Sequence, residues 1–558
     1  MIPMIASARR LGAAVALLAA AAPLGAQKPA AAATPLGLGA PPPAIRSEAD
    51  LARFLDDLEL QQWTLDRAWT LESYAQWKGE AHHQVAGIQR LYTGLASRRD
   101  YARVIEQWKP RVRDSTLARR LELQGKFFLP AKGDPALALA LGDLQTAIQD
   151  TVGRFRFQLG GRALTRTELG EIVDSSAGRA VRRAAFEAIP QISARIASPI
   201  RQAMAMTDRL GRQQGYPSGA AAQLYLSSLT PTQVLRDLDA FEQATRPTYE
   251  ALLARIRRDL GLDRLEGWDL DYWFRTQQRA VADAYPIDQA VPRIRALATG
   301  LGFPVDSLPI TVTIYDVPTG GVAFPIRPPY EARLLSNPFS GVQFYSTLFH
   351  EYGHTLHATL LRDDLPLGFL SLDERPATEG VAETLGHFAF DRRFLVRTAG
   401  VNPEQAAALE RLGKLNQLLW LRRTVGASAY AEVQQYLDLE ADFDSVYTAA
   451  YRRFVGVELP PGDYAGSHDF FGTSPLYIPV YLYANMIATQ LGEAMRREFG
   501  SADLSAEPRV AEWLTRHFYG PGQSVRWPDK VRRATGRALD ARALAEFLTV
   551  DVEMRQDR

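Results

Sequence analysis

Hydrophobic residues recur every three to four positions along most of this 558-residue chain. Such spacing places apolar side chains on one face of an α-helix, and the helix formers Ala, Leu, Arg, Glu and Gln fill the same stretches. Ser47 and Thr230 stand where a hydroxyl can cap the start of a helix. The pattern predicts a mostly α protein, with helices over 47–95, 97–126, 134–150, 177–214, 231–260, 287–301, 403–437, 483–500 and 541–556.

Strand patterns are confined mainly to 308–335. Two short runs rich in β-branched residues, Ile310 to Tyr315 and Gly321 to Ile326, flank a Pro-Thr-Gly-Gly turn and predict a small β-hairpin. An edge strand here could pair with the backbone of an extended peptide, as in β-augmentation. It could equally brace the helix that follows, so both roles stay open.

The first 45 residues have the composition of a targeting segment rather than of a folded domain. Two arginines, about fifteen apolar residues and a Gly-Ala-Gln end predict a signal peptide over 1–26, with an uncleaved signal anchor as the alternative. The Ala- and Pro-rich residues 27–45 predict a linker. The chain has no cysteine, which excludes disulfides and a lipid anchor at cysteine. We expect a periplasmic or secreted protein.

Residues 46–558 are too many for one ordinary hydrophobic core. The candidate chemical residues are nevertheless spread over 350–483, which favours one unit of two helical lobes around a deep channel over separable modules. The small sheet would lie beside the metal-binding helix of that unit. A net charge of +1 argues against a nucleic-acid partner.

The most informative segment is His350-Glu351-Tyr352-Gly353-His354, inside an apolar run with helical spacing. Residues i and i+4 lie about 40° apart on one face of a helix, so both imidazoles can bind one zinc ion at about 2.0–2.1 Å. Glu351 projects beside them, where a carboxylate can take a proton from a water that the metal activates. Two histidines and a glutamate are seldom buried without partners. The pattern therefore favours an HExxH zinc site over a surface helix with two chance histidines.

Two downstream glutamates compete to be the third ligand of a catalytic zinc. Glu374 precedes Pro376, and a proline disfavours helix immediately before it. Glu379 falls within the helix that Pro376 can open. Glu383 follows one turn later, where it can accept a hydrogen bond from a ligand histidine. This arrangement favours Glu379 as the third ligand of one Zn²⁺ ion.

The segment TLFHEYGHTLHATL, with a glutamate 29 residues after the first motif histidine, resembles the thimet oligopeptidase and oligoendopeptidase F family of zinc metallopeptidases. Upstream, Trp268 to Trp273 is similar to that family's W-D-L-x-Y-Y segment, and RRAAFEAI with LGRQQGYPSGAA resembles its preceding helical stretch. The angiotensin-converting enzyme family has a similar design, with an acidic residue four positions after the ligand glutamate. The resemblance covers about residues 160–550.

The resemblance also implies donors for the negative oxygen that amide hydrolysis creates. In the resembled families a histidine followed by tyrosines on the next helix supplies them, and His468 matches that histidine. Tyr477 and Tyr481 would share one helical face, whereas Tyr483 would point elsewhere. Their spacing differs from the families' pattern and Pro479 interrupts the start of the helix, so which tyrosine acts stays open. A core helix with satisfied tyrosine hydroxyls is the alternative.

Together these features predict a zinc-dependent metallopeptidase that cleaves internal peptide bonds of oligopeptides, with Glu351 as general base. A dipeptidyl carboxypeptidase is one alternative. The converting-enzyme family binds the substrate's C-terminal carboxylate with a lysine two residues before the matching histidine, and this chain has Gly466 there. A catalytically silent peptide-binding relative and a zinc enzyme acting on cell-wall peptides are the others. No stable membrane insertion is expected after signal cleavage, and the oligomeric state stays open.

Overall fold

The structure, a computed structural model, describes residues 40–552 apart from 81, 280, 318, 319, 339, 340 and 373. The predicted signal peptide and most of the predicted linker lie outside the described residues. The part that is described is mostly α-helical, which confirms the predicted fold class. None of its helices has both the length and the apolar composition needed to cross a bilayer.

The helices of the first half follow the predicted stretches closely. Ser47 and Thr230 cap their helices as expected, accepting hydrogen bonds from the backbone N–H of Asp50 and Gln233. The stretch 47–95 is divided because Gly79, with a φ of 74°, ends the first helix. The helices are α1 (Glu48–Trp77), α2 (Val85–Ala96), α3 (Arg99–Trp108), α4 (Ser115–Phe127), α5 (Pro135–Arg154), α6 (Arg166–Ser175), α7 (Arg179–Ala188), α8 (Ser193–Gln213), α9 (Gly219–Leu226), α10 (Pro231–Asp259), α11 (Gly267–Arg279) and α12 (Ala290–Gly300).

The helices of the second half carry the candidate chemistry. They are α13 (Val342–Thr359), α14 (Arg375–Gly386), α15 (Arg392–Arg397), α16 (Pro403–Trp420), α17 (Ser428–Leu437), α18 (Phe443–Val455), α19 (Phe470–Thr473), α20 (Pro479–Phe499), α21 (Arg509–Leu514), α22 (Trp527–Thr535) and α23 (Ala541–Leu548). A π-helical turn, Leu421–Ala427, joins α16 to α17, so the predicted helix over 403–437 runs without a break. Helix α14 packs against both α13 and α20.

The small sheet is confirmed, but its strand order differs from the expected hairpin. Strands β3 (Ile310–Ile314) and β4 (Gly321–Arg327) do not pair with each other, because β5 (Glu331–Ser336) lies between them. Strand β5 is parallel to β3 and antiparallel to β4, and its buried apolar residues make it the natural central strand. The sequence did not predict a second hairpin, which joins β1 (Phe157–Leu159) to β2 (Arg162–Leu164).

Among the described residues the apolar core forms one large cluster and two smaller ones. The N-terminal cluster is built by α1 to α4 and the turn after them, from Leu51 to Ala131. The third cluster joins β4 to Tyr74 of α1 and Leu335 of β5. The large cluster extends from α5 to the C-terminal helices and includes the apolar faces of α13, α14 and α20. The helix with the HExxH segment is therefore held in the main core, with β4 and β5 against it. The two lobes and the deep channel stay predictions.

Helix α17 buries an acidic side chain, Glu432, completely. Burial raises the pKa of this carboxyl from 4.5 to about 8, and a hydrogen bond from the Leu476 N–H only partly opposes the rise. The folded protein thus keeps a proton that the unfolded chain releases near pH 4.5.

We therefore expect the contribution of Glu432 to the free energy of unfolding to be largest below pH 4.5 and to fall as the pH rises toward 8. Denaturant unfolding of the wild type and of Glu432→Gln between pH 5 and 8.5 checks this. The stability of the glutamine variant relative to the wild type should increase with pH. An equal difference at every pH would contradict the expectation.

Candidate active site

The HExxH segment lies within α13, and all three of its chemical side chains are buried. His350, Glu351 and His354 keep between 3% and 6% of their surface exposed. An apolar helix buried on this scale cannot carry two imidazoles and a carboxyl without polar partners. Those partners come from α14 and β4.

His350, His354 and Glu379 bring three ligand atoms together. The Nε2 atoms of the two histidines are 3.1 Å apart. Oε2 of Glu379 lies 3.3 Å from Nε2 of His350 and 3.6 Å from Nε2 of His354. Ligands at about 2.0–2.1 Å from a tetrahedral zinc are about 3.3–3.4 Å from one another. The triangle therefore fits such an ion, and two imidazoles with one carboxylate are a donor set that zinc prefers.

The other candidate ligand, Glu374, lies outside this cluster. It is the residue before α14, and its Oε1 pairs with the Arg119 guanidinium at 2.5 Å. Both side chains are buried, so the pair satisfies two charges that would otherwise be costly. Glu374 therefore has a structural partner, whereas Glu379 faces the histidines.

The glycine of the motif explains how α14 comes so close to α13. A β-carbon on Gly353 would lie 2.8 Å from Cα of Ala382 in α14. On the opposite side of α14, a β-carbon on Gly380 would lie 2.6 Å from Cγ2 of Ile487 in α20. Real β-carbons do not come this close to other atoms, so two glycines set the spacing of the three helices.

Further polar side chains extend outward from the ligands. Oε1 of Glu383 lies 3.6 Å from Nδ1 of His350, and its Oε2 lies 3.8 Å from Nε2 of His387. The same His387 nitrogen is 3.2 Å from Oδ1 of Asn485, which also accepts a hydrogen bond from Gln417 at 2.6 Å. Outer groups of this kind orient a ligand imidazole and strengthen its binding to a metal.

The acidic side chains around the histidines favour positive charge at this point. Burial alone would lower the pKa of His350, yet Glu379 and Glu383 raise it to about 9. Burial likewise opposes ionisation of Glu379, but His354 and His350 hold its pKa well below the usual range. A divalent cation among these groups would satisfy the same electrostatic demand.

Strand β4 positions Glu351. Burial raises the pKa of Glu351, while the two motif histidines and a hydrogen bond from the Ala323 N–H favour its charged form. A β-carbon on Gly321 would lie 2.8 Å from Cγ of Glu351, so only glycine lets the strand come this close. The strand thus contacts the proposed base from one side and fixes where its carboxyl points.

Two of the tyrosines predicted from the sequence lie at the ligand cluster. The Tyr477 hydroxyl donates to Oε1 of Glu379 at 2.8 Å, and the Tyr481 ring packs edge-on against Tyr477 at 5.5 Å. Burial, with Tyr477 and the Glu379 carboxylate, holds the pKa of Tyr481 well above its usual range, so its hydroxyl keeps its proton. Tyr483 points elsewhere, as expected, and donates to Asp237.

His468 contacts Tyr447 and Phe471. Its Nε2 lies 2.8 Å from the Tyr447 hydroxyl, and its ring packs against Phe471. Burial lowers the pKa of His468 to about 4, so the imidazole is neutral near pH 7. The oxyanion role that the resemblance implies for His468 stays a prediction.

The sequence also left some contacts of the site unrecognised. It named Tyr477 as a candidate, but nothing in the motif indicated that the Tyr477 hydroxyl donates to Glu379, because the contact joins residues 98 positions apart. The glycine at 321 could have been suspected, since a glycine inside a strand often marks a close approach of another group.

The sequence and the fold both match known proteins. A model of peptidase family M3 matches residues 172–296, a segment before α13 that contains both upstream regions of resemblance. No curated protein sequence matches the chain significantly. Among solved structures, metallocarboxypeptidase 1 of Trypanosoma cruzi aligns with 89% of this chain and 98% of its own, at 14% identity and a TM-score of 0.62. The carboxypeptidase of Pyrococcus furiosus aligns with 90% and 99%, at 10% identity and a TM-score of 0.64. At such identities the structural matches establish the fold alone.

Proposed function

We propose that this chain, which matches a model of peptidase family M3 over residues 172–296, is a metallopeptidase. We propose further that it uses one zinc ion to hydrolyse internal peptide bonds of oligopeptides. The observation that carries the proposal is the buried triangle of His350, His354 and Glu379, with the Glu351 carboxyl on the same helix. Zinc, when bound, supplies a Lewis acid that activates water near neutral pH and polarises the scissile carbonyl. The residues around it determine where protons go.

Glu351 is the proposed proton carrier. It takes a proton from the attacking water and then gives it to the leaving amine, which needs a carboxyl that can exist in both states. Burial raises its pKa, and the two histidines and the Ala323 N–H keep the charged form accessible. A carboxyl in this environment is suited to both steps.

Donors for the developing negative oxygen are proposed to come from α20 and the turn before it. Tyr481 keeps its proton and lies against Tyr477, whose own hydroxyl is already bonded to Glu379. Tyr481 is therefore the better oxyanion donor of the two, and Tyr477 the better support for the ligand. His468 is proposed as a second donor, because the resemblance implies that role.

The surroundings of residue 466 favour an endopeptidase over a dipeptidyl carboxypeptidase. A β-carbon on Gly466 would lie 2.3 Å from Oδ2 of Asp463 and 2.5 Å from Cβ of Ala197. There is no room here for the lysine that the converting-enzyme family uses to bind the C-terminal carboxylate of its substrate. A carboxypeptidase is the second candidate, because the structural neighbours named above are carboxypeptidases.

The substrate class, oligopeptides, follows from the M3 resemblance. The location, periplasmic or secreted, is proposed from the N-terminal sequence pattern. With a net charge of +1, the chain offers no general attraction for nucleic acids. Peptides that reach the space outside the cytoplasmic membrane are the proposed substrates.

A mixture of peptides acetylated at the N-terminus and amidated at the C-terminus tests the proposal, with mass spectrometry to read the products. We expect cleavage at internal bonds, complete loss of activity with a chelator, and recovery on adding zinc. The same peptides with free carboxyl ends are the matched control. Release of only C-terminal residues or dipeptides, and only from the free peptides, would instead establish the carboxypeptidase.

A further inference from the structure

We infer that Glu432, a residue outside the ligand cluster, is a positioning residue that holds the turn from which Tyr477 reaches the metal ligand Glu379. The inference deepens the proposed function, because it concerns the same metal site. It rests on a chain of two short hydrogen bonds and one strained backbone residue, which connect α17 to α14.

The turn precedes α20 and has an unusual residue at its sharpest point. Residues Ser474 to Tyr477 form a turn closed by a hydrogen bond of 3.3 Å from the Tyr477 N–H to the Ser474 carbonyl. Pro475 and then a residue with positive φ are the marks of a type II turn, where glycine or asparagine is usual. Here Leu476 has a φ of 57°, and it is one of two described non-glycine residues with positive φ. A leucine in this conformation is strained, and the contacts around it must offset that strain.

Glu432 supplies the contact that stabilises this turn. Its Oε1 accepts a hydrogen bond of 2.7 Å from the Leu476 N–H. The second central N–H of such a turn is not used by the turn itself, and here it is buried, so it needs an acceptor from elsewhere. Among the described residues no cation lies within ion-pair distance of Glu432. Burying a carboxyl without a counter-ion costs free energy. The hydrogen bond from the Leu476 N–H offsets part of that cost.

The strained turn leads directly to the ligand cluster. Tyr477 follows Leu476, and its hydroxyl donates to Oε1 of Glu379 at 2.8 Å. The other carboxylate oxygen, Oε2, lies 3.3 Å and 3.6 Å from the motif histidines. Tyr477 therefore holds one oxygen of the ligand so that the other faces the metal position. A shift of the turn would move the tyrosine and release the carboxylate.

The ring of Tyr477 has additional supports, which limit the size of the effect. The Arg375 guanidinium lies over the ring at 5.0 Å, and Tyr481 packs against it. Loss of the Glu432 contact should thus loosen the ligand rather than abolish the site. Outer groups that orient metal ligands typically contribute about tenfold to a hundredfold in affinity, and we expect the lower end here.

The affinity of the reloaded apoprotein for zinc, measured by competition with a chromophoric chelator, tests the inference without any need for activity. Glu432→Met keeps the length of the side chain but removes the acceptor, and it should weaken zinc binding about tenfold. Glu432→Gln is the matched control, because its amide oxygen can still accept from the Leu476 N–H. It should stay within about twofold of the wild type.

A double-mutant cycle separates positioning from a general structural role. Tyr477→Phe should also weaken zinc binding about tenfold, and adding Glu432→Met to it should cause no further loss, since both act through one contact. Additive losses would overturn the inference. Should Glu432→Met not fold, the single Tyr477→Phe variant still decides the question. If its zinc affinity equals that of the wild type, the Tyr477 hydroxyl does not support Glu379, and the inference is wrong.

The two proposals can fail separately. Zinc affinities that follow the expected pattern in a protein that cleaves no peptide would support the role of Glu432 and remove the proposed function. If the protein cleaves peptides and Glu432→Met binds zinc as tightly as the wild type, the proposed function is supported and the role of Glu432 is wrong.

Discussion

Glu351→Gln should bind zinc as the wild type does and lose peptide hydrolysis by a factor on the order of a hundred to ten thousand. Glutamine has almost the same size and can still accept the hydrogen bond from the Ala323 N–H that the carboxyl receives. It cannot take a proton from water or return one to the leaving amine. The change therefore removes one chemical capacity and leaves the metal ligands in place. Hydrolysis of a blocked peptide and zinc content by atomic absorption measure the two effects on one sample.

Zinc content is the internal control for this experiment. A variant that loses both metal and activity would show only that the helix was disturbed. Turnover close to the wild-type rate, with zinc still bound, would exclude Glu351 as the proton carrier. An inactive wild type would favour the silent, peptide-binding relative.

Glu379→Gln should lower zinc affinity at least about a hundredfold, because the effect of a direct ligand exceeds that of groups that only orient it. The substitution removes the negative charge beside two imidazoles and replaces an oxygen that lies 3.3 Å and 3.6 Å from them. Titration of the apoprotein with zinc against a chelator gives the affinity directly.

Glu374→Gln is the matched comparison, since the same chemical change is made five residues earlier. It should leave zinc affinity unchanged and reduce thermal stability instead, because the buried Arg119 guanidinium loses its charged partner. The reverse result, with zinc lost in the Glu374 variant and kept in the Glu379 variant, would reassign the third ligand.

The helices and the motif could be predicted from sequence because their signals are local. Helical spacing, caps at Ser47 and Thr230, and histidines at positions i and i+4 all depend on neighbours within one or two turns. The choice of Glu379 over Glu374 came from a proline and from a carboxylate one turn later. In the structure these local signals correspond to α13 and α14, whose side chains form the triangle.

The rest could not be predicted because it depends on residues far apart in the chain. The order of β3, β5 and β4 depends on which strand pairs with a neighbour on both sides. The residue pattern within each strand does not indicate this. The bond between Tyr477 and Glu379 and the contact of Glu432 with a leucine of positive φ join separate helices. The oxyanion role of His468 came from the family resemblance alone, and in the structure the residue contacts Tyr447 and Phe471.

The wedged position of α14 has a consequence for ion selectivity. With Gly353 against Ala382 on one side and Gly380 against Ile487 on the other, the helix that carries Glu379 has little freedom to move outward. The helix backbones that carry the three proposed ligands can therefore hardly move apart. Calcium prefers six to eight oxygen ligands at about 2.3–2.6 Å, which a small, nitrogen-rich cage cannot provide. Discrimination against large hard ions would thus be built into the packing of three helices rather than into the ligands alone.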